Sequence, residues 1–547
     1  SMKWSTNNLI WGRPLRSIFA LFNGKKLPFK LQHLDSTDII IVEQDLVSKS
    51  RKVKSFKEYS SFLKENKIIF DQNERQKIIL KRFISVSNSK NYKDRYNHYL
   101  LEEVVNIVEN PHVLLVSFDK EYLKIPEEII ISTIEKHQKY FPLFDSRGKL
   151  TNHFFVVANK KDEKKLISEG NKRVVDARLA DAKFFWEKDR SKNLIKQIAN
   201  LKTVTFYEKL GTIYDKTQRI RNLAGLLSDE LNINKEKVQV AASISKSDLC
   251  SDLVKEYPEL QGVMGKYFAL SQGFEEDVAN SISEHYLPIG LTSALPKKPF
   301  SYSVSVVDKI DSLVGFFLIN EKPTSSKDPF ALRRSAIGLL RVIIENKLFI
   351  KLRDLINYSI RLYEEQGVEI KNENTEMELL DFLKERMRNI LKLKNIKTDI
   401  IEASVSSHVG DNFLDLYKKS ILMNKYIHKD VGIKAISSYK RASNITDKIE
   451  KGITGRPDAV LFRTEEEKIL FEKINEIRKA FTVKESNKDY ENLLIRLSET
   501  KQFTDNFFDN VVVNDENQDI KNNRLELLKM FCNTFNSFIN FSKLEGI

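Results

Sequence analysis

The stretch Lys327-Asp328-Pro329-Phe330-Ala331-Leu332-Arg333-Arg334 predicts the start of a helix in the middle of this 547-residue chain. Asp328 is a favourable N-cap residue, and Pro329 suits the first helical position because its missing N–H would be unpaired there anyway. Apolar residues then recur at helical spacing, at Leu332, Ile337, Leu340 and Ile344. The stretch therefore predicts an amphipathic helix that packs one face into a core.

The same helical spacing continues on both sides of this stretch. Upstream it is seen at Ile213, Ile220, Leu223 and Leu227. A loop rich in Pro and Ser is expected over residues 288–303, between these helices. Downstream, Thr375 and Glu378 predict a capping box at the start of another helix. The last predicted helix carries one apolar face, formed by Leu525, Leu528, Phe531, Phe535, Phe538 and Ile539.

The first part of the chain has a different pattern. Residues 112–116 and 154–158 are short, β-branched or aromatic runs, which are typical of buried strands. The turn-forming sequence of residues 145–149 precedes the second run and predicts a hairpin or a loop. We therefore predict a multidomain protein with an α+β region followed by mostly α-helical domains. The expected boundaries are 1–193, 194–347, 348–435 and 436–547.

The charge balance indicates a polyanionic partner. The chain has 90 Lys and Arg against 76 Asp and Glu, a formal net charge of +14. Such a balance fits nucleic acid or an anionic membrane surface, although it can also reflect biased coding. The two cysteines, Cys250 and Cys532, form no metal-binding or disulfide pattern, and no apolar run approaches the length of a membrane span. We expect a cytoplasmic protein.

The sequence contains no motif of a self-sufficient active site. It has no Gly-x-x-x-x-Gly-Lys-Ser/Thr loop and no Gly-x-Gly-x-x-Gly after a strand. Residues 245–247 have part of the lysine loop of class I synthetases but not its His-x-Gly-His partner. Residues 462–465 have an Arg-x-Glu arrangement, but Thr464 and Glu467 predict a capping box instead. We assign no catalytic residue, metal ligand or cofactor to this chain.

Three runs in which basic residues lie beside aromatic or polar ones are the candidates for RNA contacts. Arg178 can pair with Asp176 and Asp181 or face a phosphate backbone, and the sequence leaves both alternatives open. The third run is Tyr439-Lys440-Arg441-Ala442-Ser443-Asn444. It contains an aromatic ring, two positive charges and an amide, and this combination suits the binding of single-stranded RNA loops. The predicted RNA contacts in these runs are Arg173, Arg178, Lys327, Arg333, Arg334, Tyr439, Lys440, Arg441 and Asn444.

These runs and several others make the chain resemble the β subunit of the bacterial glycyl-tRNA synthetase that has two α and two β subunits. The matching stretches are residues 126–130, 137–141, 170–182, 206–212, 257–262, 284–288, 308–313 and 323–334. The resemblance covers the chain from about Trp11 to its end. It implies an editing-like α+β region, an HD-type helical domain, a helical linker and a C-terminal anticodon-binding domain.

The resemblance also implies a function. In this family the α subunit binds ATP and glycine and activates the amino acid with Mg²⁺, whereas the β subunit recognises the tRNA. The chain is thus expected to take part in glycine–tRNA ligation with an α subunit and tRNA(Gly) as partners. Residues 507–513 and 522–525 resemble the anticodon-binding module, which adds Arg524 to the predicted tRNA contacts.

Two departures from the family are expected to matter. The family's N-terminal segment, expected before Trp4, is absent from this sequence. Residues 34–38 stand where the family usually has a Gly-His-Arg motif.

The HD-type region lacks the residues that a metal site needs. Metal-dependent HD hydrolases use a His directly before an Asp, but here Ser247 precedes Asp248. We therefore predict a scaffold, with Asp308 and Asp311 as helix caps or ion-pair partners. Two alternatives stay open: a free-standing HD-type metal-dependent phosphohydrolase, and a general basic RNA-binding protein.

Overall fold

The computed structural model describes residues 2–3, 9–12, 15–44, 47–93, 95–290, 292–407, 411–446, 453–482 and 489–545. Trp4 lies outside these ranges. It is the residue before which the family's N-terminal segment was expected. The chain divides into two compact units, Ser1–Lys188 and Asp189–Ile547. No helix within the described ranges is both long enough and apolar enough to cross a membrane.

The first unit combines small sheets with helices. Its strands are β1 (Met2–Lys3), β2 (Ile10–Trp11), β3 (Ile18–Phe19), β4 (Leu21–Phe22), β5 (Lys25–Lys26), β6 (Lys30–Leu31), β7 (Leu34–Thr37), β8 (Ile39–Gln44), β9 (Val47–Lys52), β10 (His112–Ser117), β11 (Phe141–Phe144) and β12 (Leu150–Ala158). Its helices are α1 (Phe56–Glu65), α2 (Gln72–Lys90), α3 (His98–Ile107), α4 (Glu127–Ser132) and α5 (Leu166–Arg190).

The core of this unit forms around the antiparallel sheet β10–β12–β11. Both predicted strands are confirmed, and they pair with each other in the register Val113 to Val157. The predicted hairpin turn is also confirmed, because the Asp145 carboxylate accepts the N–H groups of Arg147 and Lys149 at 2.9 and 2.8 Å. Helices α2 and α3 pack on this sheet, where apolar side chains from all of these elements form one cluster.

The second unit is mostly helical. Its helices are α6 (Leu194–Gln197), α7 (Ile213–Leu231), α8 (Lys235–Ile244), α9 (Asp252–Glu256), α10 (Val263–Ser271), α11 (Glu276–Glu284), α12 (Pro299–Leu318), α13 (Leu332–Glu345), α14 (Leu352–Glu365), α15 (Thr375–Leu393), α16 (Thr398–Val405), α17 (Phe413–Tyr426), α18 (Asp430–Thr446), α19 (Glu465–Phe481), α20 (Tyr490–Asn510) and α21 (Gln518–Asn536). The short strands β13 (Thr205–Tyr207) and β14 (Gly211–Thr212) pair before α7.

One predicted helix start and the extent of one predicted loop are wrong. Helix α13 begins at Leu332 rather than near Pro329, although the Asp328 carboxylate still accepts the N–H groups of Leu332 and Arg333 at 2.8 and 3.0 Å. Ala331 has a left-handed backbone with φ of 55° and therefore cannot continue a helix backwards. Helix α12 begins at Pro299, so the loop predicted over residues 288–303 is shorter than expected.

The two predicted capping boxes have different outcomes. At α15 the N-cap is Asn374, and no side chain caps the helix. Glu378 instead pairs with Lys322, so this prediction is wrong. At α19 the box is confirmed, because Thr464 and Glu467 each accept the other's backbone N–H.

The predicted apolar face of the last helix is confirmed as core, although α21 ends at Asn536. Phe538 and Ile539 follow the helix end and are fully buried.

Candidate nucleic-acid interface

The run predicted to bind single-stranded RNA lies in the last turns of α18. Tyr439 is only 4% exposed, and its ring packs against Phe535 and Phe541 with centroids 6.0 and 5.5 Å away. The prediction that Tyr439 stacks on a base is therefore corrected, since its ring belongs to the core between α18 and α21. Lys440 is partly exposed and Asn444 is exposed, so both can contact a partner.

Arg441 is exposed but engaged by the neighbouring helix. Its guanidinium lies 2.8 Å from Asp505 and 3.1 Å from Asp509, and it lies over the ring of Phe508 at 4.9 Å. These three partners all belong to α20. Arg441 therefore joins α18 to α20, and an RNA phosphate would have to compete with two carboxylates for it.

Arg524 is buried, which corrects its prediction as a tRNA contact. The residue is 5% exposed, and its Nε lies 2.6 Å from Glu467. Its Nη1 also lies 2.6 Å from Asp515 and 2.8 Å from the carbonyl oxygen of Val512. The side chain therefore holds the start of α19 and the loop before α21 to α21 itself.

The turn before α13 keeps several predicted contacts at the surface. Lys327 and Arg334 are exposed, whereas Arg333 is partly buried. Arg333 donates one hydrogen bond to the carbonyl oxygen of Thr324 across this turn. The structure thus brings Lys327, Arg333 and Arg334 together around one short loop, and their role in tRNA binding stays a prediction.

The remaining predicted contacts lie on α5 in the first unit. Arg173 and Arg178 are both exposed there. Asp176, one of the two carboxylates expected to pair with Arg178, is engaged by Lys172 and accepts the N–H of Asp119 at 3.1 Å. The phosphate-facing alternative for Arg178 stays a prediction.

A buried charged cluster lies between α7 and α12. The guanidinium of Arg219 lies 2.6 Å from Asp311, and the ammonium of Lys216 lies 3.0 Å from Asp311 and 3.2 Å from Asp308. Arg219 also lies 3.8 Å above the ring of Tyr363. Burial alone would raise the pKa of Asp311, but Arg219 and Lys216 outweigh it and lower that pKa. The prediction that Asp308 and Asp311 are ion-pair partners is confirmed.

The cluster continues towards Ser247 and Asp248, the pair that the sequence analysis compared with the His-Asp pair of HD hydrolases. The ammonium of Lys246 lies 3.2 Å from Asp308. Asp248 accepts the N–H of Gly265 at 3.1 Å, and burial raises the pKa of its carboxyl to about 6. Lysine ammonium groups thus neutralise Asp308 directly. In the described residues, no group of three or more His, Cys, Asp and Glu side chains is arranged to hold a metal ion.

The sequence analysis predicted the carboxylates of this cluster but not their cationic partners, Lys216 and Arg219. The spacing of these cations nevertheless indicates that they are buried, because Lys216 follows Ile213 by three residues and precedes Ile220 by four. Arg219 likewise precedes Leu223 by four residues. Both cations therefore lie on the apolar stripe of α7, which requires a buried partner for each.

Two family models match the chain. Residues 1–406 match the family described as glycyl-tRNA synthetase beta subunit, and residues 436–542 match the DALR anticodon binding domain. Among curated relatives, the glycine–tRNA ligase beta subunit of Rickettsia canadensis is 37% identical over 545 residues, covering 100% of this chain and 80% of the relative. That of Clostridioides difficile is 35% identical over 548 residues, covering 100% of this chain and 78% of the relative.

Proposed function

Because the chain belongs to the glycyl-tRNA synthetase β-subunit family, we propose that it recognises tRNA(Gly) and presents it to an α subunit that attaches glycine. The chain is a subunit of a glycine–tRNA ligase, which is an aminoacyl-tRNA synthetase. The observation that carries the proposal is an anticodon-binding domain at residues 436–542 of the same chain as the β-subunit match.

Charge and side-chain placement support this division of labour. A net charge of +14 attracts an RNA backbone over a distance set by salt screening. Exposed cations are present in both units, with Arg173 and Arg178 on α5 and Lys327 and Arg334 before and within α13. Contacts of this kind position an RNA without reading its bases, so base discrimination falls to the anticodon-binding domain.

In the proposed complex, ATP, Mg²⁺ and glycine bind to the α subunit. The β subunit contributes by holding the acceptor end of the tRNA close to the activated amino acid. Fixing two reactants in this way replaces a bimolecular encounter with a reaction inside one complex. We expect two α and two β subunits in the complex, and we expect it to act in the cytoplasm.

The other domains are proposed as supports for this recognition. The editing-like region is the α+β unit, and the HD-type domain is the helical part around α7 and α12. The charge cluster favours a scaffold over the alternative of a metal-dependent phosphohydrolase, since two ammonium groups lie 3.2 Å from Asp308. Such a cation pair would repel a divalent metal ion.

A reconstituted aminoacylation assay tests the proposal. We expect the chain mixed with the α subunit to attach glycine to tRNA(Gly) in the presence of ATP and Mg²⁺, and either protein alone to give at most background charging. An unrelated tRNA of the same length serves as the control. Equal charging by the α subunit alone, or equal charging of both RNAs, would contradict the proposal.

A further inference from the structure

Arg386 on α15 has an unusual environment for a surface arginine. Its guanidinium lies over the ring of Phe382 at 4.3 Å, which fixes the side chain against its own helix. Its Nε is buried, yet it has no hydrogen-bond acceptor among the described residues. A buried donor without an acceptor costs free energy, and no ion pair within the described residues engages the rest of this partly exposed guanidinium.

Among the charged groups around Arg386, the one with the largest effect has the same sign. Helices α13 and α15 pack against each other, so the positive charge of Arg333 in the first turn of α13 acts on Arg386. Burial and the positive charge of Arg333 together lower the pKa of Arg386. Two guanidinium groups that both stay charged repel each other, and an anion beside them relieves this repulsion.

The carboxylates close to this pair are already engaged. Asp328 accepts the N–H groups of Leu332 and Arg333 at 2.8 and 3.0 Å, where it caps α13. Glu385 is paired with Arg388. Both carboxylates therefore have other hydrogen-bond donors, and positive charge remains at the surface.

A small loop beside the pair adds the donor types that phosphate groups prefer. The Thr324 N–H donates to the carbonyl oxygen of Lys327 at 2.9 Å, and the Lys327 N–H donates back to the Thr324 hydroxyl at 3.2 Å. This closes the loop and leaves Ser325, Ser326 and the Lys327 side chain exposed. Arg333 donates to the same loop at Thr324. Two hydroxyls and one ammonium group are thus exposed on the loop that Arg333 contacts.

We propose that Arg386, Arg333 and the loop of residues 324–327 bind one backbone phosphodiester of the bound tRNA. The contact rests on the proposed function, because tRNA is the polyanion that this chain is expected to hold. Guanidinium groups donate to two oxygens of a phosphate at once, and serine hydroxyls complete such sites. Arg386 acts here as a positioning residue, which fixes the path of the RNA without reading its sequence.

The test is Arg386→Gln in the full chain, with Arg361→Gln as the matched control. Arg361 is exposed on α14 and lies over the ring of Tyr358 at 5.3 Å, so it reproduces the arginine-on-ring arrangement away from the loop. We expect Arg386→Gln to weaken the binding of tRNA(Gly) and of an unrelated tRNA by about the same factor, roughly tenfold at low salt. The slope of log K against log salt concentration should fall by about 0.9. Arg361→Gln should leave both quantities unchanged.

A melting temperature distinguishes this site from a structural role. If Arg386 mainly stabilises the fold, Arg386→Gln lowers the melting temperature; the proposal predicts no fall, since the substitution relieves the repulsion by Arg333. Unchanged tRNA affinity in Arg386→Gln would overturn the proposal. A second result would also overturn it: inorganic phosphate raises the melting temperature of the unmodified chain but not that of Arg386→Gln, while the two proteins bind tRNA equally well. The site would then bind free phosphate only. Failure of the unmodified chain to bind any tRNA would instead contradict the proposed function.

Discussion

Replacing Arg219 with Met lowers the free energy of unfolding of the Asp189–Ile547 unit by about 3–5 kcal/mol. Arg219 and Asp311 are both fully buried, and the Arg219 Nε lies 2.6 Å from the carboxylate. Methionine fills most of the arginine's volume but supplies no charge, so Asp311 keeps the Lys216 ammonium and the Tyr363 hydroxyl but loses the guanidinium. Chemical denaturation followed by circular dichroism measures the change.

Two further variants isolate the cause. Arg388 pairs with Glu402 at 2.9 Å, but both side chains are partly exposed, so Arg388→Met should cost no more than about 1 kcal/mol. Adding Asp311→Asn to Arg219→Met removes the buried carboxylate that has lost its guanidinium partner and should recover part of the loss. A loss for Arg219→Met no larger than that for Arg388→Met would show that the buried cluster contributes little to stability.

Replacing Glu467 with Ala costs about 3–4 kcal/mol in the anticodon-binding region, of which about 1 kcal/mol comes from the lost helix cap. Glu467 accepts the N–H groups of Arg463 and Thr464 at 2.6 and 2.8 Å, and its other oxygen holds Arg524 at 2.6 Å. The substitution leaves the buried Arg524 with Asp515 as its remaining carboxylate. Urea denaturation of the two proteins side by side measures the difference.

The same residue predicts a pH dependence. Burial raises the pKa of Glu467, but the hydrogen bonds from Arg524 and from the two N–H groups lower it by more. The pKa of Glu467 therefore lies below its ordinary value. A carboxyl whose pKa is lowered by folding stabilises the protein above its unfolded pKa of about 4.3 and loses this contribution as the pH falls. The difference in the free energy of unfolding between wild type and Glu467→Ala should therefore shrink below about pH 4.

Glu465 serves as the control. It is 71% exposed in the same helix turn, and Glu465→Ala should lower the free energy of unfolding by less than about 1 kcal/mol at any pH. Equal effects of the two substitutions would contradict the account.

The sequence was sufficient to predict those elements whose structure depends on neighbouring residues in the chain. Strands β10 and β12 were predicted because their residues are β-branched or aromatic, and the Thr464 capping box because both partners lie within four residues. The start of α13 was misplaced because tertiary packing overrides the local signal. Phe330 stacks on Phe316 at 4.1 Å, which holds the preceding turn outside the helix.

The candidate interface was predicted less well because surface and core uses of the same residue types look alike. Tyr439 and Arg524 were assigned to RNA contacts from their chemistry. The partners that bury them are far away in sequence, with Asn536 bonded to the Tyr439 hydroxyl at 3.2 Å and Glu467 bonded to Arg524. A local sequence pattern does not indicate contacts between residues that are so far apart in the chain. Arg386 was missed for the converse reason, since only the packing of α15 on α13 brings it to Arg333.

The most direct test of the central claim is a binding titration of the chain with tRNA(Gly), an anticodon-altered tRNA(Gly) and an unrelated tRNA, each at two salt concentrations. We expect tightest binding of tRNA(Gly), a weaker complex after the anticodon change, and a loss of affinity for all three RNAs as the salt concentration rises. Equal affinity for the three RNAs at both salt concentrations would contradict it, because recognition would then depend on the backbone alone.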